Sequence, residues 1–407
     1  KILLVILLSG VAVLAEVPAV SKDEKDIRAA KAAPRIVMAE TDEYRSLRLQ
    51  GFDALYNMDY QGARTKFQQM ANTVPEHPAG YFYLATNLWL ELLNNSRRLQ
   101  TGLYSGESFY AETKEKVDPK LDEEFRRLTK LALERAEAAV KKNAADQEAL
   151  YYQGAIHGLL ASYEATVARS FISALRNGSR SVDLHRKVVE LNPGYIDAYL
   201  TIGTYDYIVG SLPFFIKILA TIGGIRGSRE RGLEELRLVT ERGIYANDDA
   251  RVVLIALYAR EKRYPEMLKL LETLSQKYPR NYVFKVERAA TLVRLNRAEE
   301  SYSIFEELLR DKTIAKVADF VHYQYGETLF GQGRHQDALN HFRAVIGLTD
   351  ANEQLVTLAY LKAGQLHDLL QQRSEAMAAY ETVLKRENAF DSHDQAKRYL
   401  KNPFRVK

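Results

Sequence analysis

The sequence predicts an all-α protein in which antiparallel helix pairs stack into a solenoid. Leu, Ala, Glu, Lys and Arg are abundant and there are ten prolines in 407 residues, a composition that favours helix over strand. The same order of small and bulky residues also recurs at a spacing of about 34 residues, as in a repeated helix–turn–helix unit. Hydrophobic residues make up 46% of the chain and charged residues 27%, which is a globular balance.

The first forty residues precede the repeats. Residues 1–15, "KILLVILLSGVAVLA", have one basic residue, an apolar run and a small-residue ending, which is the pattern of a cleaved signal peptide. The protein is therefore expected to be exported, and periplasmic if its source is bacterial. The alternative is an uncleaved membrane anchor, which would need about twenty apolar residues. Residues 16–40 are expected to form a disordered linker.

The repeat is clearest where Gly51 is followed by Ala63 and Phe67. Small residues at the eighth and twentieth positions of a unit let its two helices approach closely, and a bulky residue at the twenty-fourth fills the space beside that contact. We therefore expect Ala63 and its equivalents to lie at close contacts between helices. The same order recurs as Gly326, Ala338 and Phe342, and as Gly364, Ala376 and Tyr380.

Three further units contain insertions. Their two small residues are Ala85 and Ala132, Gly154 and Ser181, and Gly203 and Gly232, which are much farther apart than the two in the simple repeat. Helical insertions are therefore expected near residues 94–120, 160–178 and 209–228. About eight units then occupy residues 41–390, and residues 391–407 form a polar capping helix and tail of the kind that solenoids need.

This pattern resembles the tetratricopeptide repeat, which implies a helical solenoid that binds other proteins. A closer resemblance, to tetratricopeptide repeat protein 39 and the fungal inclusion-body-clearance protein, rests on one stretch near residues 210–233. A role in lipid droplets or inclusion clearance is not carried over, because those proteins are intracellular and this chain begins like an exported one. The matching positions are Gly210, Pro213, Gly224, Gly227, Arg229, Gly232 and Leu233.

The residues that usually carry chemistry do not form a known catalytic pattern. The eight histidines include no zinc-protease pair, and the chain has no nucleophile elbow, no phosphate-binding loop after a strand and no cysteine. The 57 basic and 53 acidic residues are spread evenly, without the basic patch of a nucleic-acid-binding protein. The sequence therefore predicts a non-enzymatic protein with no metal, no cofactor and no nucleic-acid partner.

Solenoids of this kind bind partners on the surface formed by the first helix of each unit. The inward positions of those helices are aromatic in the N-terminal half, which favours a protein or peptide partner and a scaffolding role. An alternative is an apolar small molecule or lipid held between the inserted helices, and another is that those helices bury the rings. The candidate groove residues are Phe52, Tyr56, Phe82, Trp89, Tyr151 and Tyr207.

The stretch "GSLPFFIKILATIGGIRGSRERG", residues 210–232, is predicted to be an inserted apolar hairpin. Its apolar part, residues 212–225, has only fourteen residues and contains Lys217, whereas a membrane span needs about twenty apolar residues. No strand precedes its glycines to make a phosphate site. Ser228 is the expected N-cap of the helix that follows. Phe214 and Phe215 are expected to lie in the groove, with a partner or a peripheral membrane contact as the alternative.

Overall fold

The computed structural model describes residues 25–34, 40–99, 117–211 and 227–406. These ranges contain eighteen α-helices and no strand, so the predicted fold class is confirmed. None of the helices in these ranges has the length and apolar character needed to cross a membrane. The predicted signal peptide and the side chains of Phe214 and Phe215 lie outside the described residues.

The chain divides into two compact units. Unit 1 comprises Lys1–Leu93 and Thr113–Arg263, and unit 2 comprises Asn94–Glu112 and Tyr264–Lys407. The helices that begin in unit 1 are α1 Lys25–Ala32, α2 Asp42–Tyr56, α3 Tyr60–Thr73, α4 Pro78–Asn95, α5 Pro119–Lys142, α6 Gln147–Thr166, α7 Phe171–Leu191, α8 Tyr199–Gly210, α9 Arg229–Arg242 and α10 Asn247–Arg260.

The remaining helices belong to unit 2, where consecutive helices pack as antiparallel neighbours. The last helix, α18, packs on α16 and α17, where Ala396 joins a buried cluster with Leu361, Tyr380 and Val383. The helices are α11 Tyr264–Lys277, α12 Tyr282–Arg294, α13 Ala298–Arg310, α14 Ala318–Gly331, α15 His335–Gly347, α16 Glu353–Leu369, α17 Arg373–Lys385 and α18 Ser392–Lys401.

The small and bulky residues of the repeat meet as the sequence predicts. A Cβ atom placed on Gly51 of α2 would lie 2.7 Å from Phe67 Cδ1 of α3. The same contact joins Gly326 to Phe342 Cζ at 2.9 Å and Gly364 to Tyr380 Cε1 at 2.5 Å. The alanines at the twentieth positions have no exposed surface, which confirms their place at helix contacts: Ala63, Ala338 and Ala376.

Side chains cap several helices where the sequence offers Ser, Thr or Asp. The hydroxyl of Ser228 accepts a hydrogen bond from the backbone N–H of Arg231, so the predicted N-cap of α9 is confirmed. Thr41 caps α2 and Asp146 caps α6 in the same way. These caps satisfy backbone donors that a helix leaves unpaired in its first turn, and so they fix where the chain turns.

The structure corrects the prediction of an insertion at residues 160–178. The extra residues lengthen the two helices of the pair, so that α6 has 20 residues and α7 has 21, with residues 167–170 between them. The sequence spacing alone could not separate longer helices from an added element. The other two predicted insertions fall largely on residues 100–116 and 212–226, outside the described residues.

The predicted disordered linker contains helix α1, so that prediction is wrong for Lys25–Ala32. Ile27 and Ala30, three residues apart, form one buried face, and Ala30 packs in a cluster with Tyr199 and Leu238. The guanidinium of Arg242 donates to the carbonyls of Ala30 at 2.8 Å and of Ala33 at 2.6 Å. The polar composition of this segment suggested disorder, but the short helix is stabilised by contacts with residues about 170–210 positions away.

Two histidines in unit 2 share a hydrogen bond. Nδ1 of His322 on α14 lies 2.9 Å from Nδ1 of His341 on α15, so one ring donates its proton and the other accepts it. Burial lowers the pKa of both groups, and burial together with the neighbouring His322 lowers that of His341 to about 4. Arg334 also lowers the pKa of His341, while Asp337 raises it.

This pair predicts a loss of stability in acid. In the unfolded chain both histidines are protonated near pH 6.5, whereas in the folded chain they are protonated only at a lower pH. The stabilisation is therefore complete above about pH 6.5 and is lost as the pH falls towards 4. We expect the melting temperature, followed by circular dichroism, to fall less between pH 7 and pH 5 in His341→Gln than in wild type.

The matched control is His335→Gln, which removes a histidine from the same helix without touching the pair. Its fall in melting temperature between pH 7 and pH 5 should equal that of wild type. Equal falls in all three proteins would show that the His322–His341 contact has no role in the acid response.

Candidate functional site

A pocket of about 30 Å³ lies within unit 1. Most of its walls come from α4, α6, α8 and α10, the first helices of four successive pairs, which is the surface that the sequence predicts for binding. The lining residues are Phe82 and Tyr83 of α4; Tyr151, Ala155 and Gly158 of α6; His185 of α7; Leu200, Thr201 and Thr204 of α8; Asp249 and Val253 of α10; and Asp197 and Tyr245 from the turns before α8 and α10.

Tyrosine rings form much of the wall. The hydroxyl of Tyr83 lies 3.1 Å from that of Tyr152, and the ring of Tyr151 packs against Tyr195 with centroids 5.0 Å apart. Burial raises the pKa of Tyr83 and Tyr151, and it raises that of Tyr245 to about 12. These phenols are therefore neutral at physiological pH and act as hydrogen-bonding groups with aromatic faces.

Two buried aspartates contribute the acidic groups of the pocket. Asp197 accepts the backbone N–H of Ile244 at 2.7 Å and that of Tyr245 at 2.9 Å, which fixes the turn before α10. Burial raises the pKa of Asp197, and these hydrogen bonds oppose that rise. Asp249 accepts the hydroxyl proton of Tyr56 on Oδ1, and its Oδ2 remains available as an acceptor.

Arg48 of α2 is a buried cation beside two tyrosines of the pocket, although it does not line the pocket itself. Its side chain has no exposed surface, and its guanidinium lies 4.3 Å from the ring centroid of Tyr245 and 5.9 Å from that of Tyr83. It forms an ion pair of 3.0 Å with Glu40. Because Glu40 balances Arg48, the two aspartates leave the pocket with an excess of negative charge.

His185 stands where other helix pairs place a large apolar or aromatic side chain. A Cβ atom on Gly154 would lie 2.8 Å from its Cε1, just as Gly51 faces Phe67 and Gly326 faces Phe342. Burial lowers the pKa of His185 to about 3, so the imidazole is neutral.

The ring nitrogens of His185 have no hydrogen-bond partner among the described residues. The carbonyls of Tyr151 and Ser181 lie close enough to favour the charged ring, but neither makes a well-aligned hydrogen bond. Hydrogen bonds weaken steeply when they are misaligned, so these carbonyls do not satisfy the ring nitrogens. A buried imidazole without a partner is unusual in a folded protein, and this one borders a pocket.

The structure brings only some of the predicted groove residues to the pocket. Phe82 and Tyr151 line it, and Tyr56 reaches it through Asp249. Phe52, Trp89 and Tyr207 are buried in helix packing and do not line it; Trp89 Nε1 donates to Thr166 Oγ1 at 2.9 Å. The groove role of Phe52, Trp89 and Tyr207 therefore has no support from the pocket.

Sequence reasoning missed the polar members of the pocket. Asp197, Thr201, Tyr245 and Asp249 follow no recognisable motif, because turns and helices distant in sequence bring them together. His185 had a usable signal, since it occupies the twenty-fourth position of a repeat in which Phe or Tyr is expected.

The family model described as tetratricopeptide repeat matches residues 358–390. These residues cover most of α16 and all of α17, the pair in which Gly364 meets Tyr380. The chain contains a tetratricopeptide repeat. The other tetratricopeptide-like pairs follow from their own geometry, and no curated protein matches the chain. The closer resemblance to tetratricopeptide repeat protein 39 stays a prediction.

Several solved structures share a general likeness with the chain. A human IFIT1 dimer with m7Gppp-AAAA is 12% identical, covering 93% of this chain and 89% of its own, with a TM-score of 0.44. Yeast Tom70 is 11% identical, covering 88% and 87%, with a TM-score of 0.40. A tetratricopeptide repeat protein from Parabacteroides merdae is 14% identical, covering 79% and 99%, with a TM-score of 0.32. Likenesses this distant carry no argument about function.

Proposed function

We propose that the chain is a non-enzymatic tetratricopeptide-repeat scaffold that binds a polypeptide partner at the pocket of unit 1. The observation that supports this most is that the first helices of four successive pairs line one pocket. Repeat proteins bind partners on that surface because each repeat adds side chains to it. The pocket would hold one anchoring side chain of the partner, and the neighbouring helices would supply the remaining contacts.

The size and polarity of the pocket favour a peptide side chain over a lipid. Its volume of about 30 Å³ is far below the roughly 300–1,000 Å³ of small-molecule sites. Aspartates, threonines and a histidine interrupt its aromatic wall. Asp197 uses both carboxylate oxygens in structural hydrogen bonds, and burial lowers the pKa of His185 to about 3, which makes the imidazole a weak base. The arrangement therefore supports binding rather than acid–base catalysis.

The experiment is native co-purification with wild type and with Ala155→Leu, which fills the pocket without removing a charge. We expect wild type to retain a stable polypeptide partner and the variant to lose at least about tenfold in affinity, or about 1.4 kcal/mol. The matched control is Ala138→Leu, at an exposed position of α5 in the same unit, which should behave as wild type. Bound lipid without a polypeptide would overturn the proposal.

A further inference from the structure

We infer that the pocket of unit 1 accepts a primary ammonium group, that of a lysine side chain on the polypeptide partner. The inference rests on the proposed function and names the chemistry of the anchoring residue. It follows from four properties of the pocket: its charge, its unpaired acceptors, its aromatic wall and its size.

The charge of the pocket favours a cation. Asp197 and Asp249 are 6% and 5% exposed, and both line the pocket. Arg48, the buried cation behind Tyr83 and Tyr245, already pairs with Glu40. A carboxylate or phosphate entering the pocket would meet two buried negative charges, whereas an ammonium would neutralise one of them.

The residues that line the pocket include hydrogen-bond acceptors, which an ammonium requires. A neutral imidazole always has one nitrogen with a free lone pair, and His185 has no partner for it among the residues that the structure describes. Asp249 offers Oδ2, and the hydroxyl of Thr204 donates to the carbonyl of Leu200, which leaves its oxygen as an acceptor. An ammonium has three donors and no acceptor, so it complements this set.

The place of His185 in the repeat argues against a purely structural role. Equivalent positions hold Phe67, Phe342 and Tyr380, each packed against a glycine of the preceding helix. A phenyl ring would fill this space without leaving a buried nitrogen unpaired, which costs about 1–3 kcal/mol. Among the described helix pairs, a histidine faces the glycine only in the pair α6–α7, where His185 lies against Gly154. His185 is also the residue at that repeat position that lines the pocket.

The aromatic wall and the volume select ammonium over guanidinium. Phe82, Tyr83, Tyr151 and Tyr245 present rings to the pocket, and aromatic faces attract cations. The pocket is small, about 30 Å³, which favours a compact cation. An ammonium is a compact point charge, whereas a guanidinium is a larger planar group.

The test compares N-acetylated, fluorescein-labelled peptides by fluorescence anisotropy: octalysine, octaarginine and octalysine acetylated on every side chain. We expect octalysine to bind at least tenfold more tightly than octaarginine, although the two carry the same charge, and the acetylated peptide to show no binding. An octaserine peptide with a free amino terminus tests the other source of a primary ammonium, and we expect it not to bind.

Three variants locate the site. His185→Phe installs the residue that other pairs use, so it should fold with an unchanged or higher melting temperature and lose at least tenfold in octalysine affinity. Asp249→Asn should lose affinity by a similar factor, which keeps the test decisive if His185→Phe does not fold. Ala138→Leu should bind octalysine as wild type does.

Equal binding of octalysine and octaarginine would overturn the inference, as would octalysine binding that is unaffected by both pocket variants. These failures differ from failure of the proposed function. If a partner is captured by wild type and lost in Ala155→Leu while octalysine is not bound, the scaffold proposal stands and the lysine inference fails.

Discussion

Replacing Arg48 with methionine is expected to lower the free energy of unfolding of unit 1 by about 3–5 kcal/mol, the cost of removing one partner from a buried ion pair. The change leaves the carboxylate of Glu40, whose side chain is 6% exposed, without its buried cation. It also removes the guanidinium from the rings of Tyr44 and Tyr245. Urea unfolding followed by the emission of Trp89, the single tryptophan, reports this change because Trp89 is buried within unit 1.

The matched control is Arg45→Met. Arg45 contacts the same carboxylate at 3.3 Å, but its side chain is 42% exposed. Solvent screens exposed ion pairs, so the control should lose much less stability than Arg48→Met. Similar losses of unfolding free energy in the two variants would mean that burial does not determine how much Arg48 contributes to stability.

Replacing Gly232 with alanine is expected to destabilise unit 1 by about 1–3 kcal/mol or more, because the new methyl group would meet backbone rather than a movable side chain. A Cβ atom on Gly232 of α9 would lie 2.5 Å from the backbone nitrogen of Tyr207 and 3.0 Å from its Cα on α8. The two helices would have to separate along their contact. The same urea titration with Trp89 emission measures the loss.

Gly178→Ala provides a control of opposite sign. Gly178 lies inside α7, and nothing lies within 4 Å of a Cβ atom placed there. Alanine is the better helix former by about 1 kcal/mol, so this variant should be slightly more stable than wild type. If Gly232→Ala were as stable as Gly178→Ala, α8 and α9 could not approach as closely as the structure shows.

The sequence predicted the helix pairs well because their packing depends on the local spacing of small and bulky residues. Gly51, Ala63 and Phe67 belong to one helix–turn–helix unit, and any chain with that order can bury them in the same way. The N-cap at Ser228 was predictable for the same reason, since a cap depends on a few adjacent residues. Helix lengths were not predictable, because longer helices and an inserted element give the same separation between Gly154 and Ser181.

The pocket was largely beyond sequence reasoning. Asp197 lines it because its carboxylate holds the turn at Ile244 and Tyr245, almost fifty residues later. Aromatic residues at inward positions gave the correct surface but not the correct members, because the spacing cannot tell a ring that lines a pocket, such as Phe82, from one buried in the core, such as Trp89. Phe82 and Tyr151 were among the predicted residues and line the pocket, and the histidine at an aromatic position of the repeat, His185, was a further signal that could have been used.

The docking of α1 has a consequence for the order in which unit 1 is assembled during synthesis. The carbonyl of Ala30 is bound by Arg242, which follows it by 212 residues. At a translation rate of about 5–20 residues per second, α1 leaves the ribosome roughly 10–40 s before its binding surface exists. Ala30 also lacks its contact with Leu238 of α9 until late in that interval. Helix α1 is therefore made before the other described helices of unit 1 and yet is among the last to dock.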